Sequence, residues 1–179
     1  MIEDIDKKTK LVIFDFDKTL VCSPEPEFGK SIWKEKTGEE WIGGWFSESN
    51  SLNVDIFHIP LILTVHREWK KYHLDCQALC VMLTGRIKSL SQSVERVLSH
   101  HNLKFDDHLY NEGRETSESK MNHIEMILKY NPSLRELVMF DDRLLHLPLF
   151  KKWGDELVEK GYLDKFQLIQ VKDEKLIKH

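Results

Sequence analysis

Asp15 and Asp17, with Thr19 two positions further on, follow directly on the apolar run Leu11-Val12-Ile13-Phe14. If that run is a strand, the two carboxylates project the same way, because side chains on an extended backbone repeat every second residue. Two carboxylates at one edge call for a compensating charge. Mg²⁺ suits this pattern, since it takes hard oxygen ligands and is commonly held by one or two carboxylates together with a substrate phosphate. A solvated Asp/Thr turn closing a strand is the competing reading of the spacing alone. Three further segments bear on the choice. Thr84-Gly85-Arg86 ends the apolar run QALCVML, Lys120 lies near the start of a helical pattern, and Asp141-Asp142 ends the apolar run LVMF.

The elements that must position these residues alternate in type. Residues 11–16 read as a strand, followed by a long irregular stretch to about Asn53 that holds most of the Gly, Trp and Ser. A helix is predicted over 60–72, with Pro60 near its first turn. Residues 77–83 form a near-continuous apolar strand, the mark of a parallel sheet covered on both faces. Helices are predicted over 89–100, where Leu90, Val94, Val97 and Leu98 recur at helical spacing, and over 117–130, stopped by Asn131-Pro132. Short strands are expected at 105–110, 137–140 and 166–171, with a helix over 150–160. This alternation predicts one α/β domain with a mostly parallel sheet and right-handed crossovers. In such sheets ligands bind beyond the carboxyl ends of the strands, so Asp15/Asp17, Thr84 and Asp141/Asp142 should converge on one rim, with Lys120 pointing back towards it.

Composition sets the limits. The 179 residues suffice for one well-cored domain, and 41% hydrophobic with 31% charged residues is ordinary for a globular chain. No apolar stretch approaches the roughly 20 residues that span a bilayer, and the mixed charges of residues 1–10 do not resemble a signal peptide. An intracellular protein, cytoplasmic or nuclear, is expected, with no membrane partner. The net charge of -4 argues against a chain that coats nucleic acid along its whole surface but leaves room for a local basic cleft. The short lysine runs Lys7-Lys8, Lys70-Lys71 and Lys151-Lys152 read as solvated faces. Three cysteines without a C-x-x-C pair support neither a disulfide framework nor a zinc site, and Cys76 and Cys80 read as packing residues.

Taken in order, Asp15-x-Asp17-x-Thr19, hydrophobic-Thr84-Gly85, a helix-leading Lys120 and hydrophobic-Asp141-Asp142 resemble the four motifs of the haloacid dehalogenase (HAD) superfamily, in its phosphatase branch. The resemblance implies a Rossmann-like three-layer core spanning 1–179, with a minimal cap or flap at about 21–60. It also implies a role for each residue. Asp15 would be the nucleophile that forms an aspartyl phosphate. Asp17 would serve as general acid and then general base. Mg²⁺ would be held by Asp15, Asp141 and the backbone carbonyl of Asp17, with Asp142 on a metal-bound water. Thr84, Gly85 and Lys120 would bind the transferring phosphoryl group. Dehalogenase members lack the second aspartate, so phosphoryl transfer is the implied reaction.

The stretch between Leu20 and Gln77 is too short for a large cap domain, which favours a phosphate on a macromolecule over a buried metabolite. It holds three of the five tryptophans, Trp33, Trp41 and Trp45, which either pack a flap on the core or stack on a nucleobase. A narrower likeness rests on Trp33 with Gly43-Gly44-Trp45-Phe46, Thr84-Gly85-Arg86, Leu103 to Asp106, Thr116 with Lys120, and Asp141-Asp142-Arg143 with His146 and Phe150. Together these resemble the Swiss Army Knife RNA repair-like HAD family, which implies a terminal phosphate of RNA or another polynucleotide as substrate. Arg86, Arg143 and His146 would then be substrate contacts, Arg143 and His146 on a second phosphate. The alternatives are a protein phosphatase, a small-molecule phosphatase, and a non-catalytic scaffold that binds a phosphorylated partner. In the structural reading Arg143 pairs with Asp142 or caps a helix, and His146 is a satisfied buried histidine.

Overall fold

The computed structural model describes residues 8–179; the rest of the chain, including Lys7 of the Lys7-Lys8 run and most of the segment compared with a signal peptide, lies outside the described residues. Six strands form one sheet: β1 (Lys10–Phe14), β2 (Ala78–Ile87), β3 (Asp107–Asn111), β4 (Glu136–Asp141), β5 (Lys165–Lys172) and β6 (Lys175–Lys178). Their order is β3-β2-β1-β4-β5-β6. All pairings are parallel except β5 with β6. The expected α/β class with a mostly parallel sheet is therefore found, and the oldest signal in the sequence, continuous apolar runs, comes from strands covered on both faces.

Alternation within β1 divides the core. Val12 and Phe14 face one layer with Met82, Val65, Trp69, Val94 and Val97, while Leu11 and Ile13 face the other with Ile124, Leu137, Phe150 and Leu157. The first layer is built from α2 (Leu63–His73) and α3 (Ser91–His100), the second from α4 (Thr116–Tyr130) and α5 (Leu147–Glu159). No helix among the described residues is long and apolar enough to cross a membrane.

Three expectations need correction. The stretch to Asn53 is not wholly irregular, because α1 (Pro26–Thr37) lies within it, followed by 3₁₀ turns at Trp45–Ser47 and Ser49–Leu52. Its start and stop are both chemically marked: Pro26 stands in the first turn, where no N–H is needed, and Gly38 takes the left-handed conformation at φ 77°. Pro60 does not begin a helix, since α2 starts at Leu63; the Pro60 carbonyl instead accepts from the Cys22 N–H at 2.8 Å. β6 was not anticipated. It turns back from β5 over Asp173 and Glu174, both at positive φ, which is the hairpin geometry that matches strand twist. Among the cysteines, Cys80 is buried as expected, whereas Cys76 is exposed.

Candidate active site

β1 and β4 run in register, Phe14 beside Phe140, and the Asp15 N–H donates to the Phe140 carbonyl at 3.0 Å. Asp15 is thereby set next to Asp141 at the carboxyl end of the sheet. One oxygen each from Asp15, Asp141 and Asp142 lies within 4.8 Å of the others. Lys120, on the second turn of α4, reaches into this cluster, its Nζ 2.8 Å from Asp15 Oδ1 and 2.6 Å from Asp141 Oδ2. Both partners and the lysine are buried.

The charges are unbalanced. Burial, followed by repulsion from Asp141 and Asp142, holds the Asp15 carboxyl well above the ordinary range although Lys120 pulls the other way. Burial and then Asp141 push Asp142 up to about 6. For Lys120, burial favours the neutral amine, but the carboxylates of Asp141 and Asp15 outweigh it and the net shift is upward. Three carboxylates facing one ammonium leave an excess of negative charge in a buried place, which is the electrostatic condition a hard divalent cation relieves. The donor set, all oxygen, fits Mg²⁺.

The Asp17 carboxylate is not in this cluster. Its Oδ2 accepts from Arg86 Nε at 2.8 Å, and its Oδ1 accepts from Arg86 Nη2 at 2.9 Å and from the Ser23 hydroxyl at 2.6 Å. Of Asp17, only the backbone carbonyl is the atom that the resemblance assigns to the metal. A cleft of about 230 Å³ opens over these groups, lined by Asp15, Asp17, Lys120, Asp142, Gly85, Thr116, Arg86, Arg143, Lys18, Glu25 and Phe46. Gly85 is required by close approach: a Cβ there would sit 2.7 Å from Thr116 Cγ2 at the start of α4.

Other candidates fall elsewhere. Thr84 is buried, and its hydroxyl accepts from the Arg86 N–H at 3.1 Å instead of lining the cleft. Arg86 is 3% exposed, with its donors turned to protein groups. Arg143 lines the cleft, and its N–H donates to Asp141 Oδ1 at 2.9 Å. His146 packs edge-on against Phe150; its Nε2 is 3.7 Å from Glu115 Oε1 and its buried Nδ1 has no partner. Burial lowers the His146 pKa. None of Trp33, Trp41 and Trp45 lines the cleft. They form an aromatic chain within the segment between β1 and α2, Trp33 edge-on to Trp41, Trp41 against Trp45, and Trp45 edge-on to Phe57, with Trp45 Nε1 donating to the Pro24 carbonyl.

Sequence reasoning passed over Ser23, Lys18, Glu25, Ser51 and Phe46 as site residues. Phe46 carried a signal, since it closes the Gly43-Gly44-Trp45-Phe46 pattern; Ser23 and Ser51 carried none, because a lone serine in an irregular segment has no periodicity to read.

Comparison with known proteins bears on the family and the fold. Residues 23–177 match the family described as HAD domain family 1 in Swiss Army Knife RNA repair proteins. A Saccharomyces cerevisiae relative, the uncharacterized protein YMR265C, is 26% identical over 174 residues, covering 83% of this chain and 38% of its own length. Among solved structures, a chain of the Pnkp1/Rnl/Hen1 complex superposes with a TM-score of 0.59 at 18% identity, over 93% of this chain and 47% of that one. A second structure, of the Pnkp1/Rnl/Hen1 RNA repair complex, gives 0.56 at 14% identity, over 93% and 44%. The chain thus spans less than half the length of each of these relatives, and the structural likenesses establish a shared fold.

Proposed function

Because the chain belongs to HAD domain family 1 of Swiss Army Knife RNA repair proteins, we propose that it is a Mg²⁺-dependent phosphomonoester hydrolase acting on a terminal phosphate of RNA. The observation that carries the reading is the set of buried Asp15, Asp141 and Lys120 with half-buried Asp142, beneath a cleft that Asp17 also lines.

In this reading Asp15 attacks phosphorus, forming a carboxyl–phosphate bond as the bond to the leaving oxygen breaks, and the enzyme divides one hard hydrolysis into two easier steps. Asp17 gives a proton to the leaving oxygen and later takes one from the water that cleaves the acyl phosphate. Lys120 orients Asp15 and offsets negative charge on the transferring oxygens. Mg²⁺, held by Asp15, Asp141 and the Asp17 carbonyl with Asp142 beside it, would supply Lewis-acid stabilisation of the phosphoryl charge. Gly85 and Thr116, the first residue of α4, line the cleft, and a helix N-terminus favours anions. Arg143 is a candidate contact for a second phosphate of a polynucleotide.

RNA is preferred as substrate class on the family's description and on the fold shared with a chain of an RNA repair complex. The decisive assay is phosphate release from para-nitrophenyl phosphate with Mg²⁺, with EDTA, and in Asp15→Asn. Turnover that needs the metal and disappears in the variant is expected; turnover that survives in Asp15→Asn would remove the nucleophile assignment. A 3′-phosphorylated oligoribonucleotide should then outperform the same DNA oligomer and phosphopeptides, and equal or better use of either competitor would sink the RNA assignment.

A further inference from the structure

We propose that Arg86 is the positioning residue for Asp17 and, through the same side chain, the clasp that fastens the flap to the core, so that seating the flap and aligning Asp17 are one event. The proposal rests on the reading of Asp15 and Asp17 given above. Arg86 lies on the last part of β2, within the irregular stretch between Leu83 and Ile87 where the register on β3 shifts. Its guanidinium engages two chain segments by hydrogen bonds and a third by its face. Nε and Nη2 grip both Asp17 oxygens at 2.8 and 2.9 Å, Nη1 donates to Ser51 Oγ at 2.8 Å, and the Phe46 ring lies 5.4 Å from the guanidinium carbon.

Each contact favours arginine. A bidentate grip fixes both the position and the plane of a carboxylate, which the point charge of a lysine cannot do. The third nitrogen is then left facing the Ser49–Leu52 turn, where the Ser51 hydroxyl is itself oriented by donating to the Glu48 carbonyl at 2.7 Å. Phe46, at the end of the Gly43-Gly44-Trp45-Phe46 stretch, covers the guanidinium and lines the cleft. The flap is seated on the core by the buried Trp45, Leu52, Phe57 and Ile59, to which Arg86 adds a polar link. It is tied at its base, where the Cys22 N–H meets the Pro60 carbonyl and the Ile62 N–H meets the Leu20 carbonyl. Its 3₁₀ turns lie far along the chain from that base, and Arg86 links them directly to the reacting centre.

The role differs from substrate binding in what it predicts. On para-nitrophenyl phosphate, Arg86→Gln should lower kcat by about 10²-fold, the scale of a misaligned acid–base group, while KM changes little because Arg86 does not hold the phosphate. Arg86→Lys should recover only part of the loss. Ser51→Ala, which leaves the grip on Asp17 in place, should give a smaller fall in kcat. Amide hydrogen exchange across 45–52 reads the clasp without any need for turnover. It should accelerate in Arg86→Gln, in Ser51→Ala and also in Asp17→Asn, the last because an unanchored guanidinium no longer holds Ser51. A raised KM with unchanged kcat in Arg86→Gln would overturn the positioning role in favour of substrate contact. Unchanged exchange in Asp17→Asn would overturn the coupling. If the unmodified protein hydrolyses no phosphomonoester, the catalytic reading falls, and the exchange measurements alone decide the clasp.

Discussion

Lys120 illustrates how one side chain can be required by the charges around it. With 1% exposure it is among the most buried residues of the protein, and among the described residues its ammonium is the only cation in contact with Asp15 and Asp141. Removing one partner of a buried ion pair costs more than the pair contributes, because the other charge is left in a poor solvent. Lys120→Met should therefore destabilise the metal-free protein by about 3–5 kcal/mol, measured by urea unfolding. A loss indistinguishable from that of a surface lysine would contradict the geometry. Lys120 itself could be chosen from the sequence by its place at the head of a helix one strand before Asp141. That it touches both carboxylates could not, because such contact depends on α4, packed over β2 and β3, sending this side chain across to the ends of β1 and β4.

At the scale of elements, the flap was the least legible part of the chain. Strands β1, β2 and β4 announced themselves by continuous apolar runs, and α3 and α4 by period and stop signals. In α1, only Gly29 is fully buried, and the partly buried Ile32 and Trp33 one turn later make too short an apolar stripe to detect. What the helix packs against explains this: a Cβ on Gly29 would stand 2.1 Å from the Trp45 indole. The contact is made by the absence of a side chain, and Trp45 fills the space. Gly29→Ala must therefore displace Trp45 and loosen its contacts with Trp41 and Phe57. It should cost about 1–3 kcal/mol despite the better helix propensity of Ala, and shift the near-UV circular dichroism of the tryptophans. A variant as stable as the parent with an unchanged aromatic signal would show that the flap does not depend on that approach. β6 escaped notice for a different reason. Lys175 to Lys178 is short, sets Leu176 and Ile177 side by side between two lysines with no alternation to read, and owes its pairing to the preceding β5 edge and to a turn made by Asp173 and Glu174 without the usual glycine.

At the scale of the whole molecule, the net charge of -4 says little, whereas the local excess of negative charge at one end of the sheet says much. Asp142, raised to about 6 by burial and then by Asp141, keeps its proton in the folded, metal-free state while the unfolded chain has already lost it near pH 4. Folded protein thus binds the extra proton, and this group's contribution to stability is full below pH 4 and declines as pH rises through about 6. A cation competes with that proton. Mg²⁺ at a hundredfold excess over its Kd adds about 2.7 kcal/mol of stability, and at a fixed concentration the thermal midpoint should rise more at pH 7.5 than at pH 5. An Mg²⁺ effect that is equal at both values, or one that persists in Asp141→Asn, would place the cation elsewhere.

The order of chemistry along the chain was determined by sequence alone: two carboxylates after one buried strand, Thr-Gly-Arg at the end of a second, a lysine at the head of a helix and paired acids after another strand. Strand parity and the rule that ligands sit beyond the carboxyl ends of a parallel sheet then sufficed to predict a common rim. Tertiary structure alone decided how the irregular flap used its residues. It turned Trp33, Trp41 and Trp45 inward, put Phe46 at the cleft, and joined Arg86 to Asp17, 69 positions away in the chain, and to Ser51. The reason is physical. Regular elements carry a period that orients every side chain in advance, whereas in turns and loops the orientation is set by long-range contacts that exist only once the chain has folded around them.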